Sequence, residues 1–213
     1  MNFIPEEIDN YATVHSQDEP KLLQELNRET YQKILQPRML SGHFQGRVLS
    51  MISKLVQPKA ILEIGTYTGY SAICMAEGML ANGTLHTIDI NEELKDFQRK
   101  YFDRSSYGDQ IIQHTGNALD IIPSLETTFD MVFIDADKEN YSNYFHIIID
   151  KLNPGGIILS DNVLWSGKVL EAPEPEDHDT AGLIAYNKLL KEDDRVETII
   201  LPIRDGLSIS RKK

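Results

Sequence analysis

Two acids and two glycines form the first group of residues able to do chemistry. In Ala60-Ile-Leu-Glu-Ile-Gly-Thr-Tyr-Thr-Gly-Tyr-Ser71 an apolar run ends in Glu63, a turn spaced Gly65-x-x-x-Gly69 follows, and a helical pattern begins. A strand, a tight glycine loop and a helix start are how a parallel α/β sheet builds a nucleotide site at its carboxyl edge. The glycines let backbone approach a ligand, and the helix start offers free N–H groups. This spacing is not the Gly-x-Gly-x-x-Gly of a dinucleotide fold, which points to a nucleoside rather than NAD and argues against a reductase. Thr84-Leu-His-Thr-Ile-Asp89 reads as the next strand, with Asp89 standing 20 residues after Gly69, where an acid that holds a ribose sits. The unit suggests S-adenosylmethionine. The plainer alternative is a tight turn and a capping aspartate.

A second group lies further along. Phe129-Asp-Met-Val-Phe-Ile-Asp135-Ala-Asp-Lys138 is a strand ending in acids, and Gly155-Gly-Ile-Ile-Leu-Ser-Asp161-Asn162 is another. On neighbouring parallel strands, Asp135, Asp161 and Asn162 leave the same edge as the glycine loop. Two carboxylates and an amide carbonyl are hard oxygen donors, as Mg²⁺ prefers, with other positions left to water or substrate. A softer metal would want Cys or clustered His. A single strand-end Asp often just caps a helix, but several acids together repel one another without a cation. Lys138 follows Asp135 by three residues. A cation beside it would favour the neutral amine, a general base; the alternative is a solvated lysine paired with the local acids. The histidines His15, His43, His86, His114, His146 and His178 are scattered and read as structural or surface.

The elements that must position these groups show in the periodicity. Strands are expected over 60–64, 84–88, 110–114, 129–134, 156–160, 196–201 and 206–210, and helices over about 70–80, 92–103, 118–123, 140–151 and 180–191. Alternation of this kind means βαβ units in a mostly parallel sheet. The last two strands, separated only by Pro202-Ile-Arg-Asp205, suggest an antiparallel hairpin at one side. Before Lys59 the pattern is helical, with one helix expected over Thr13–Gln36, closed by Pro37, and another over Phe44–Val56. We expect a single domain over 1–213, with a helical cap at 1–57 and an α/β core at 58–213. Glu171–Asp179 is a Pro- and acid-rich loop.

Composition narrows the function classes. The 213 residues suffice for one domain with a substantial core. The net charge of −12, from 33 acids and 21 bases, repels phosphate backbones and disfavours a nucleic-acid substrate. No apolar run is long enough to span a bilayer, and the acidic start Met1-Asn-Phe-Ile-Pro-Glu-Glu lacks a signal peptide's basic region. With Cys74 as the only cysteine, a reducing cytoplasm is the expected home, and Cys74 is expected to be a buried structural thiol.

Five motifs carry a resemblance: Glu63-Ile-Gly-Thr-Tyr-Thr-Gly-Tyr-Ser71, Ile88-Asp89-Ile90, Phe133-Ile-Asp-Ala-Asp-Lys-Glu-Asn-Tyr141, Asp161-Asn-Val-Leu-Trp165 and Asp205-Gly-Leu207. From about Met39 to Arg211 the chain resembles the cation-dependent O-methyltransferases, the group of catechol and caffeoyl-coenzyme-A enzymes and their bacterial relatives. The resemblance implies the Rossmann-like methyltransferase fold, with seven strands, an antiparallel last strand and added N-terminal helices. It implies S-adenosylmethionine as donor and a divalent cation, Mg²⁺ foremost, with Mn²⁺ or Ca²⁺ as alternatives. Glu63, Gly65, Thr66, Tyr67, Gly69 and Ser71 would line the methionine side of the donor, Asp89 the ribose and Ala118 the adenine. Met39 and Ser41 match a segment that covers the donor, and Asp135, which borders donor and acceptor, matches a metal ligand with Asp161 and Asn162. Lys138 matches the lysine that takes a phenolic proton. The acceptor would be a small catechol-like phenol, and a homodimer is implied, with neither nucleic acid nor membrane as partner. Ala136-Asp137 departs from the bulky aromatics of animal catechol enzymes, and neither the stretch 1–36 nor the 171–179 loop matches well enough to name an acceptor. Rival readings are a different acceptor, such as a nitrogen or a nucleic-acid base, and a non-catalytic binding module. The acidic surface and the lack of an Asn/Asp-Pro-Pro-aromatic signature oppose the first; the joint presence of Asp135, Lys138, Asp161 and Asn162 opposes the second.

Overall fold

The computed structural model describes residues 3–213, so the first two positions of the expected 1–57 cap lie outside it. In chain order the helices α1 (Glu6–Val14), α2 (Lys21–Lys33) and α3 (Gly42–Val56) precede the alternating part. There follow β1 (Ala60–Ile64), α4 (Tyr70–Ala76), β2 (Thr84–Asp89), α5 (Lys95–Arg104), β3 (Ile111–Thr115), α6 (Ala118–Ser124), β4 (Phe129–Ile134) and α7 (Tyr141–Ile148). The chain continues through β5 (Leu152–Asp161), α8 (His178–Glu192), β6 (Val196–Leu201) and β7 (Leu207–Lys212).

The strands form one seven-stranded sheet in the order β3-β2-β1-β4-β5-β7-β6. Pairs β1–β2, β2–β3, β1–β4 and β4–β5 are parallel, and β7 runs antiparallel to both its neighbours. From β1 the chain first winds outward to β3 and then returns to the other side with β4. The crevice between β1 and β4 is therefore the switch point where α/β sheets bind ligands. Both faces are covered. Leu62, Ile64, Val132, Ile134 and Ile158 pack under α6, α7 and α8 with Tyr141, Phe145 and Leu183. On the other face Ile61, Met131, Phe133 and Leu159 meet Leu23, Leu26 and Leu49 from α2 and α3, together with Tyr70 and Phe102. The N-terminal helices thus share a core with the sheet.

Most boundaries fall within three residues of expectation, and three departures are larger. Of the helix expected over Thr13–Gln36 only Lys21–Lys33 forms as α2, with α1 ending at Val14, because Pro20 cannot continue a helix and instead stands extended (φ −56°, ψ 145°) as the N-cap of α2. The helix expected to reach residue 80 stops at Ala76, since Gly78 packs on the backbone of Ser53 and Lys54, where a Cβ would lie 2.2 Å away. β5 begins four residues early, at Leu152; its pairing with β4 is irregular between Phe129 and Met131, an irregularity that accommodates Pro154.

Candidate active site

Local chemistry builds the glycine-loop end of this edge. All five residues of β1 are buried, and at its end Gly65 turns with φ 97°. A Cβ there would sit 1.9 Å from the Asp135 carbonyl oxygen, so only glycine lets β1 and β4 close at the switch point. Tyr67 follows in the left-handed region (φ 49°), and its N–H donates to Asp89 Oδ2 at 2.7 Å. Asn91 N–H donates to Asp89 Oδ1 at 2.8 Å, which fixes the carboxylate at the carboxyl end of β2. The Tyr67 hydroxyl donates to the carbonyls of Leu35 and Gln36, tying the loop to the segment between α2 and α3.

One cavity of 1390 Å³ opens over this edge. That exceeds the 300–1,000 Å³ of an ordinary ligand pocket and leaves room for two molecules side by side. Met39, Gly65, Tyr67, Asp89 and Ala118 border one end; Asp135, Lys138, Asp161, Asn162 and Trp165 border the other. Ser41, Glu63, Thr66, Gly69 and Ser71 do not border it. Glu63 is fully buried, accepting from Ser71 Oγ and Thr87 Oγ1 at 2.5 Å each, and burial pushes its carboxyl up to about 8. Thr66 Oγ1 pairs with Thr87 Oγ1, and Gly69 packs on the Phe102 ring. These residues hold the loop from behind. Ser41 takes part through its carbonyl, which accepts from Arg204.

At the other end β4 and β5 are adjacent and parallel, so Asp135 follows the last residue of one strand and Asp161 is the last of the other. Asn162 turns away with φ 59°. Lys138, 7% exposed in a 3-10 turn, donates to Asp135 Oδ1 at 3.0 Å and to the Tyr141 hydroxyl at 2.8 Å. Tyr141 in turn donates to the Asp161 carbonyl at 3.0 Å. Asp161 is 3% exposed, and its Oδ1 has no hydrogen-bond partner. Burial, then the neighbouring Asp135 charge, push its carboxyl above the usual carboxylate range. Among the described residues no three His, Cys, Asp or Glu side chains converge. A cation here would have two carboxylates and one amide as protein ligands, a donor set suited to a hard ion with open positions.

The comparisons with known proteins meet this geometry. A family described as O-methyltransferase matches residues 13–213. The chain belongs to that family. The methyltransferase is 34% identical over 208 residues to the caffeoyl-CoA O-methyltransferase of Petroselinum crispum, covering 91% of this chain and 85% of that one. The O-methyltransferase of Bacillus cereus, solved in complex with SAH, superimposes with a TM-score of 0.90 at 28% identity over 97% of each chain. The SAH-bound methyltransferase of Podospora anserina does so with a TM-score of 0.89 at 30% identity, covering 99% of this chain and 97% of that one. The protein is an S-adenosylmethionine-dependent O-methyltransferase that acts on a small molecule.

Sequence reasoning did not find every group in the methyltransferase's cavity. Asp137 and Tyr144 border it and are hydrogen-bonded to each other, and Asp179 enters from the start of α8. Arg204 also borders it, one residue before the Asp205-Gly-Leu207 motif, which was the available signal. The histidines are not all scattered: His86 Nδ1 and His114 Nε2 lie 3.0 Å apart on β2 and β3. Their separation of 28 residues gave no hint of this. Cys74 is buried and free. No described helix is long and apolar enough to cross a membrane.

Proposed function

We propose that this methyltransferase moves a methyl group from S-adenosylmethionine to one hydroxyl of a vicinal diphenol, with a divalent cation, Mg²⁺ foremost, held by Asp135, Asp161 and Asn162. The observation that carries this reading is the buried, unpartnered Asp161 Oδ1 beside Asp135, in the same cavity as Lys138. The named relatives include caffeoyl-CoA O-methyltransferases, whose acceptor carries such a diphenol.

When bound, the cation would supply positive charge that stabilises the acceptor's developing oxyanion, and the donor would supply an activated methyl group. The chain's own residues do the rest. Gly65, Tyr67, Asp89 and Ala118 hold the donor, with Glu63, Thr66, Gly69 and Ser71 fixing the loop behind them. Met39 and the backbone of Ser41 cover it and keep water out. Lys138 Nζ, fixed by Asp135 and Tyr141, takes the hydroxyl proton. Trp165 walls the acceptor so that its oxygen faces the methyl group, and the displacement is then mainly a matter of positioning. We further infer a homodimer working in the cytoplasm, with the exposed apolar side chains of α1 and α3 as support for the dimer.

The test is methyl transfer to a panel of catechols and caffeoyl esters, read by product mass with Mg²⁺ and with EDTA. Product that forms only with the ion is expected. Product in both conditions would remove Asp135, Asp161 and Asn162 as a catalytic ion site.

A further inference from the structure

The turn between β6 and β7 touches both ends of the cavity. On one side the Asp205 carbonyl accepts from Leu164 N–H at 3.0 Å, the Gly206 carbonyl from Val163 N–H at 3.1 Å, and Asp205 Oδ1 from Ser166 N–H at 2.5 Å. These bonds fix the chain just after Asn162. On the other side Arg204, held at φ 49°, sends Nη1 to the carbonyls of Leu40 and Ser41 and to Gln45 Oε1 at 2.6 Å.

Gln45 lies on α3 and is 1% exposed. A guanidinium can only donate, so the amide must present its oxygen to Arg204 and its nitrogen the other way. That nitrogen has no hydrogen-bond partner, and Asp161, which lies near enough for Gln45 to bear on its carboxylate, has an unpartnered Oδ1 of its own. A charged carboxylate only accepts. Donor and acceptor are thus matched by chemistry along Arg204, Gln45 and Asp161.

We propose that Arg204 and Gln45 are positioning residues: Gln45 orients the Asp161 carboxylate toward the cavity, and Arg204 holds Gln45 while tying down the Leu40–Ser41 backbone that covers the donor. This rests on the reading of Asp161 as an ion ligand. Groups that orient metal ligands are commonly worth 10–100-fold in ion affinity. Because one guanidinium serves both the cover and Gln45, ordering of the cover by the donor favours the ion, and the ion favours the donor by the same factor.

The test is Mn²⁺ affinity by titration calorimetry, with and without S-adenosylmethionine and with no acceptor present. Gln45→Leu is expected to weaken Mn²⁺ about 10-fold, with affinity for the donor alone kept within about twofold. Arg204→Ala should weaken Mn²⁺ as well, and the double variant should be no weaker than Gln45→Leu, because the two act as one chain. S-adenosylmethionine should tighten Mn²⁺ binding in the parent and not in Arg204→Ala. Arg204 is exposed, so its variant keeps the test free of a folding defect at buried Gln45. If Gln45→Leu binds Mn²⁺ like the parent while Asp161→Ala has lost it, the inference falls and the ion site stands. Losses that simply multiply in the double variant would also overturn it. Mn²⁺ binding retained in Asp161→Ala would remove the ion site and this inference together.

Discussion

Asp161 is a carboxylate buried with one oxygen unpartnered and a second carboxylate beside it. Its pKa is raised in the folded state, so its charged form opposes folding. That penalty is absent at low pH and grows as pH rises above the ordinary carboxylate range. The proposed ion binding would run the other way and strengthen as the proton leaves. Asp161→Asn should therefore raise the melting temperature of the ion-free protein at pH 8, with a gain on the order of 1–3 kcal/mol. The same variant should lose the rise that Mg²⁺ gives the parent. A variant melting no higher than the parent in EDTA would contradict the charge penalty. Lys138→Ala should abolish turnover and leave donor affinity within about twofold; unchanged turnover would remove Lys138 as the base. Asp135, Lys138, Asp161 and Asn162 were legible in the sequence because each ends or follows an apolar strand. Gln45 and Arg204 were not: they meet across 159 residues, and no local period reports such a contact.

The elements were legible where one physical cause acted alone. The strands Ala60–Ile64, Phe129–Ile134 and Val196–Leu201 begin and end where their apolar runs do. Boundaries drifted where a distant surface intervened, as at Gly78, whose contact with α3 cuts α4 short. The β1–α4 turn shows how narrow the tolerance is at the switch point. Gly65→Ala would place a methyl on the Asp135 carbonyl as well as impose the φ 97° strain. Gly42 also has positive φ, but a Cβ there meets nothing within 4 Å. Gly42→Ala should thus cost only about 1–2 kcal/mol of backbone strain, while Gly65→Ala should cost more and weaken both donor and ion binding. Equal losses in the two variants, read from urea midpoints and donor titration, would show that the Asp135 contact does not matter.

Across the whole molecule, the alternation of strands and helices foretold a parallel sheet with an antiparallel hairpin. Only the structure shows that β7 lies inside the sheet, between β5 and β6. A hairpin alone does not say which of its strands is the edge. Chain association also belongs to this scale. Ile8, Tyr11 and Val14 of α1 and Met51 and Leu55 of α3 are exposed large apolar side chains on a surface of otherwise high net charge. Light scattering after size exclusion should give about twice the 24.2 kDa of one chain. A monomer at micromolar concentration would instead leave those faces unpartnered.

The place of β7 also bears on how the protein comes into being. A ribosome delivers β5 and β6 before the strand that must lie between them, so β6 has no hydrogen-bonding partner until β7 emerges. The turn that holds Val163, Leu164 and the backbone of Leu40 and Ser41 arrives in the same short stretch. Until β7 joins them, β5 and β6 stay unlinked in the sheet, and the Asp205–Gly206 turn has no fixed place from which to hold Val163 and Leu164.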